Sequence, residues 1–305
     1  MPETYKKTIL RKRARLQKKR LEDQLDNPDA EKQNADILAA VPVAMPKPVV
    51  ALPSKALIQR IVLKPFIMLF TESIVLFMTI YQAFNFAVFY SFFAAFPYVF
   101  GSSTAKNATS ELYSFTPGQT GLTFLSIALG CVLGFAAVVL IDRKTYPALE
   151  AKYGVGNVPP EYRLYGAILG AALNPASLFW FGWTAHNSVH WACPVVAAVP
   201  FAVGNIMVYS SGALYIMNSY GSLHGASALS ANSLLRYAMG GAFPLFTVQM
   251  FRGLGVGGAC SLLGAVSVLL VPVPWVLYKY GARIRRRSRY IVVVDVVDPE
   301  ETAAV

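Results

Sequence analysis

Charge is scarce in this sequence. Only 14% of its 305 residues are Asp, Glu, Lys or Arg, against about 25% in an ordinary soluble domain, while 55% are hydrophobic and the mean hydropathy is +0.46. That balance excludes a soluble domain of ordinary composition and makes the bilayer the implied solvent. Cysteine is nearly absent. Cys131, Cys193 and Cys260 each lie in or beside an apolar stretch without paired spacing, so they read as core filler rather than as a disulfide framework or a metal site. The first 35 residues are charged and lack the apolar core of a signal peptide. HExxH, GxSxG and GxxxxGK are all missing, which gives an intramembrane enzyme little support. His186 and His190 are four apart but have no third ligand, so no metal is expected. The run Gly253-x-Gly255-x-Gly257-Gly258 follows no strand and reads as a loop, leaving no cofactor indicated.

What the chain does have is long apolar runs, at about 71–99, 119–141, 164–185, 191–217, 225–250 and 257–278. Each reaches the roughly 20 residues a helix needs to cross a membrane, and the first is long enough to tilt. The expected fold class is an all-α membrane protein with six transmembrane helices. Residues 1–64 form a cytoplasmic basic loop and linker: Arg11-Lys-Arg-Ala-Arg15 and Lys18-Lys-Arg20 sit on a short amphipathic helix, followed by Pro42, Pro46, Pro48 and Pro53. Residues 65–280 hold the helices, and 281–305 form a cytoplasmic tail. The net charge of +11 is concentrated beside the apolar runs, which points to anionic lipid head groups and not to nucleic acid.

Orientation follows from the basic residues. With both termini inside, inner segments carry 24 of the 27 Lys and Arg, outer loops only Lys106 and Arg252, and Arg236 lies within the fifth run. The sequon at Asn107 falls in an outer loop, as a glycosylation site must. Gly130-xxx-Gly134 and Gly166-xxx-Gly170 are spaced for close helix approach, and Gly240-Gly241 with Pro244 would let the fifth helix bend.

An ionisable group at mid-membrane costs about 3 kcal/mol or more unless a partner or a wet cavity receives it. Arg236 is about 16 Å along the fifth run at 1.5 Å per residue, and no acidic residue lies at that depth. It either binds backbone carbonyls and water within the bundle, or faces a substrate or coupling cavity whose anion lies elsewhere. Polar residues recur at helical spacing around it: Gln82, Asn85 and Phe89 on the first helix, Asn205, Tyr209 and Gly212 on the fourth, Asn232, Arg236 and Gly240 on the fifth. Converging, these stripes would line a cavity; separately, each would serve an interhelical hydrogen bond.

Pro2-Glu-Thr-Tyr5 and Leu10-Arg-Lys-Arg-Ala14 are similar to the start of the central cytoplasmic loop in one family, the fungal drug:proton antiporters of the major facilitator superfamily. Lys64-Pro-Phe66, Leu69-Phe-Thr-Glu72, Phe92-Phe-Ala-Ala-Phe-Pro97, Phe179-Trp-Phe-Gly-Trp183, and Ser227-Ala-Leu-Ser-Ala-Asn232 through Gly240-Gly-Ala-Phe-Pro-Leu-Phe246 resemble its seventh, ninth and eleventh helices, as does the ending Tyr280-Gly-Ala-Arg-Ile-Arg285. The resemblance implies the carboxyl-terminal six-helix half of a twelve-helix transporter, itself a 3+3 inverted repeat. It also implies proton-coupled export, across the plasma membrane, of drugs, polyamines or other small, cationic or amphipathic molecules. A complementary amino-terminal half becomes an expected partner, since Met1 stands almost at the middle loop. Asp142-Arg143-Lys144 looks like a reduced copy of the superfamily's cytoplasmic signature, which with Glu72 and Asn218 would make a cytoplasmic gate; ordinary positive-inside charge accounts for the triplet equally well. Relatives often carry Asp at the position of Asn218, and some carry Glu at that of Ala94, so this half lacks two carboxylates that could take part in proton coupling. The competing expectation is a non-transporting membrane partner, or a relic, of a full-length transporter.

Overall fold

The computed structural model describes residues 54–101, 112–154, 158–286, 288 and 290. The basic helix expected near the amino end, the Asn107 sequon and the tail beyond Tyr290 lie outside these residues. Helix α1 spans Ser54–Thr71, α2 Ser73–Phe100 and α3 Pro117–Tyr153; a 3-10 turn at Pro160–Leu164 leads into α4, Tyr165–Thr184. From Ala192 to Leu270 the backbone is hydrogen-bonded almost without interruption. It leaves helical geometry at Gly221 (φ 59°, ψ −165°) and Gly255 (φ 71°, ψ 164°), which divide it into α5 (192–220), α6 (222–254) and α7 (256–270). Helix α8, Pro272–Arg285, continues the line of α7 through Val271, whose backbone is still helical. Among the described residues five helical stretches are long and apolar enough to cross a membrane: Ser73–Phe100, Pro117–Tyr153, Pro160–Thr184, Ala192–Gly221 and His224–Arg285. The last, of 62 residues, divides at Gly255 into α6 and the α7–α8 rod, which brings the segments to the six expected, and no strand is present among these residues.

Three details depart from the sequence reading. Residues 54–64, expected as linker, are helical. Asp142-Arg143-Lys144 ends the apolar run but not the helix, which continues to Tyr153 with Pro147 inside it. Charge determines where a segment leaves hydrocarbon; hydrogen bonding determines where a helix stops. The third concerns the fifth run, whose backbone stays helical through Gly240, Gly241 and Pro244, while the breaks fall at Gly221 and Gly255. Those two glycines occupy a backbone region that is essentially closed to other residues. Gly221→Ala and Gly255→Ala should each lower stability by about 1–2 kcal/mol. Neither added Cβ would meet an atom within 4 Å, so backbone strain alone would explain the loss in a denaturant titration of the detergent-solubilised protein.

Water-driven burial cannot hold helices together inside lipid, so close approach and hydrogen bonds must do so. Helix α3 buries a single stripe, Thr120, Thr123, Ile127, Gly130, Gly134 and Val138, and exposes Leu122, Leu125, Leu129, Val132 and Phe135 on the other side. Gly130 and Gly134 rest on the backbone of Val199 and Val203 in α5, and Gly170 of α4 rests on Gly204 of α5. Two apolar clusters form at opposite ends of the bundle. One gathers Phe92, Phe96, Phe100, Phe181, Phe201 and Phe251; the other gathers Met68, Ile74, Met78, Leu164, Tyr215 and Leu277. At the phenylalanine end, the Tyr113 hydroxyl bonds to the carbonyls of His186 and Val189, 3.0 Å from each, and burial raises its pKa, so the donor proton is kept.

Candidate functional site

Between the two apolar clusters the bundle is polar. On α2 the interval between Met78 and Val88 carries Gln82 and Asn85, both buried. Asn174 stands half-way along α4, Asn205 half-way along α5 and Asn232 a third of the way along α6. These side chains join. Asn174 donates to Asn85 Oδ1 at 2.5 Å, Asn85 donates to the Tyr81 carbonyl at 2.8 Å, and Asn205 donates to the Asn85 carbonyl at 2.9 Å. Gln82 donates to the carbonyls of Val208 and Tyr209 at 3.2 and 3.3 Å and accepts from Asn232. They form two hydrogen-bonded groups one turn apart on α2: Asn85 ties α2 to Asn174 of α4 and Asn205 of α5, and Gln82 ties α2 to the α5 backbone and to Asn232 of α6. Asn174 Oδ1 and Asn232 Oδ1 are buried without a partner among the described residues.

One turn beyond Asn232, Arg236 is only 6% exposed. Its Cζ lies 4.1 Å from the ring centre of Tyr209, 4.8 Å from that of Phe86 and 4.9 Å from that of Tyr237. Aromatic faces stabilise a desolvated cation by about 2 kcal/mol. Among the described residues its one hydrogen bond runs from Nη2 to the Tyr237 hydroxyl at 3.2 Å, and its buried Nε has no partner there. No carboxylate among the described residues touches it. A second cation about 4 Å away would be repelled by roughly 4 kcal/mol at an effective dielectric constant of 20. The electrostatics thus favour an anion at this spot.

The glycines of the stripes make room for this arrangement. A Cβ at Gly212 would strike the Gln82 amide, and one at Gly240 would lie 2.8 Å from the Phe86 ring. Of the expected cavity residues, the structure joins Gln82, Asn85, Asn205, Tyr209, Asn232 and Arg236. Phe89 is separate: its ring neighbours Tyr90 and Phe93, and it packs against the phenylalanine cluster. Asn174, Tyr81 and Phe86 belong to the site and were not singled out by the stripes. Asn174, set mid-way along an otherwise apolar run, was the legible signal; Phe86 carried none.

The charged end of the bundle also departs from the expected set. Asp142 pairs with Arg163 at 2.6 Å, and the Arg163 guanidinium also covers the Tyr146 ring at 3.9 Å, while Arg143, Lys144 and Asn218 are exposed. Glu72 is buried in the extended link between α1 and α2, where it accepts from the Tyr220 hydroxyl at 2.9 Å. Glu161 is buried and receives Arg285 through Nε at 2.8 Å and Nη2 at 2.9 Å. Lys64 Nζ lies 2.7 Å from His224 Nδ1. Sequence spacing gave no hint of the pairs that tie Arg163, Glu161 and Arg285 across helices.

Comparison with known proteins finds efflux and multidrug transporters. The chain is 35% identical over 291 residues to an MFS-type efflux pump of Trichophyton rubrum, a match covering 95% of this chain and 44% of the pump. It is 33% identical over 316 residues to Polyamine transporter 4 of Saccharomyces cerevisiae, covering 95% and 43%. It is 32% identical over 296 residues to a major facilitator superfamily multidrug transporter of Aspergillus fumigatus, covering 97% and 44%. The chain thus spans about half the length of the curated relatives it matches. No protein-family model matches it, and no solved structure does.

Proposed function

Because the chain belongs to the major facilitator superfamily, in its fungal multidrug and polyamine transporter branch, we infer that it forms one half of a pathway exporting small organic molecules. The observation carrying this reading is the pair of polar groups centred on Asn85 and Gln82, with Arg236 beside Asn232, lying between the two apolar clusters of the bundle. Hydrogen bonds at that level also hold the helices together, but the buried Arg236, whose Nε no described residue answers, is the group that helix packing leaves unexplained.

Half a pathway needs its complement. The matching side is an amino-terminal six-helix half, which also supplies the protonatable carboxylate for proton coupling, because no described acidic residue of this chain lies at the height of Arg236. The charged end faces the cytoplasm with both termini, the membrane is the plasma membrane, and the protein performs no covalent chemistry. Glu72 with Tyr220, Asp142 with Arg163 and Glu161 with Arg285 then brace the cytoplasmic side, a role their cross-helix bonds support.

Co-expression tests the reading. In yeast lacking its own exporters, this chain together with the amino-terminal half of a relative should lower accumulation of a fluorescent drug, and the chain alone should not. Efflux by the purified chain alone would defeat the half-pathway reading. Co-purification with a full-length relative, without efflux in either pairing, would favour the non-transporting partner instead.

A further inference from the structure

Arg236 presents five N–H donors in a rigid planar fork; among the described residues one is used, on the Tyr237 hydroxyl, and the buried Nε is unanswered. Three aromatic faces surround the guanidinium, and two of them, Tyr209 at 38% and Tyr237 at 59%, are exposed. Phe86 is braced from behind by Tyr90, ring centres 4.6 Å apart. We propose that Arg236, Phe86, Tyr209 and Tyr237 form a subsite for a planar organic anion, an aromatic carboxylate; the proposal rests on this chain lining a small-molecule pathway.

The chemistry discriminates among ligand classes. A carboxylate matches the fork of a guanidinium with two parallel charge-assisted bonds, a geometry an ammonium cannot offer and an ester only half offers. Tyr209 and Tyr237 supply flat apolar surface on which the ligand's ring stacks, with edge or offset contacts preferred. A cationic ligand meets a like charge, and a neutral one leaves buried N–H groups unanswered, which is how a polar site rejects an analogue lacking the matching group. Molecules that are flat and acidic pass; polyamines do not bind at this point.

Equilibrium dialysis of the purified chain in lipid nanodiscs, with empty nanodiscs as blank, tests this with 2-naphthoate, its methyl ester and 2-naphthylmethylamine. The acid should bind at least ten-fold more tightly than either analogue. Arg236→Lys should reduce that preference several-fold, and Arg236→Gln should abolish it; the acid-to-ester ratio is internal to each sample, so partial unfolding lowers both affinities without changing it. Tyr209→Leu should weaken all three ligands and keep their order. An unchanged ratio in Arg236→Lys overturns the subsite. So does acid binding that disappears when a relative's amino-terminal half is co-expressed, because the guanidinium would then be answered by a carboxylate of that half. Acid binding without efflux strikes the transport reading alone, and efflux without Arg236-dependent acid binding strikes the subsite alone.

Discussion

Arg285→Met should cost about 3–5 kcal/mol of stability, the largest loss expected from a single polar substitution in this chain. The residue left behind decides the size. Glu161 is held at the start of the α4 segment with its side chain only 8% exposed, whereas Arg285 is 22% exposed at the end of α8. Removing the arginine leaves a buried carboxylate without its countercharge, and the backbone N–H beside it answers only part of that loss. Glu161→Gln should cost less, because the guanidinium left over reaches water and the amide still accepts one of its bonds. Gly281 lets the pair close: a Cβ there would come 2.8 Å from the Tyr215 hydroxyl and 3.1 Å from Glu161 Oε1. The double variant Glu161→Leu with Arg285→Met should recover much of the loss, since two apolar side chains carry no stranded charge. Denaturant titrations of the four proteins in one detergent give the coupling; additive losses would show that the pair contributes nothing as a pair.

Gly170→Ala should cost about 3 kcal/mol, at the upper end for overpacking, because the obstacle is main chain. Its Cβ would lie 2.7 Å from the Gly204 carbonyl oxygen and 2.8 Å from Met207 Cβ, and a Cβ added at Gly204 would likewise lie 2.7 Å from the Gly170 carbonyl oxygen. The α4–α5 crossing is therefore backbone against backbone, and one methyl must push the helices apart. The displacement would also pull Asn174, one turn from Gly170, and Asn205, next to Gly204, out of reach of Asn85. Gly121→Ala and Gly241→Ala serve as controls. Both sit in helices with nothing within 4 Å of the added atom, so they should be neutral or gain up to about 1 kcal/mol from the better helix former. Equal losses at Gly170 and Gly241 would refute the crossing as drawn.

Much of the site was legible before any coordinates. Polar residues inside apolar runs are costly, so Gln82, Asn85, Asn205, Asn232 and Arg236 announced themselves, and their spacing of three or four placed each set on one face. Phe89 shows the limit of that logic: the face it shares with Asn85 curves into the phenylalanine cluster before reaching it. Periodicity gives a direction around one helix, but it carries nothing about which neighbour stands there.

Sequence by itself indicated the solvent and the six apolar runs, and set Arg236 within the fifth of them, because each follows from the cost of charge in hydrocarbon and the rise of a helix. Tertiary structure alone decided that Asn174 meets Asn85, that Arg236 rests on the rings of Phe86 and Tyr209 as well as that of its neighbour Tyr237, and that Asp142 answers Arg163 while Glu161 answers Arg285. The two ion pairs join residues 21 and 124 positions apart, and pairing at such distances is fixed by how close glycines let the helices come. That approach is a property of facing surfaces, which no single helix encodes.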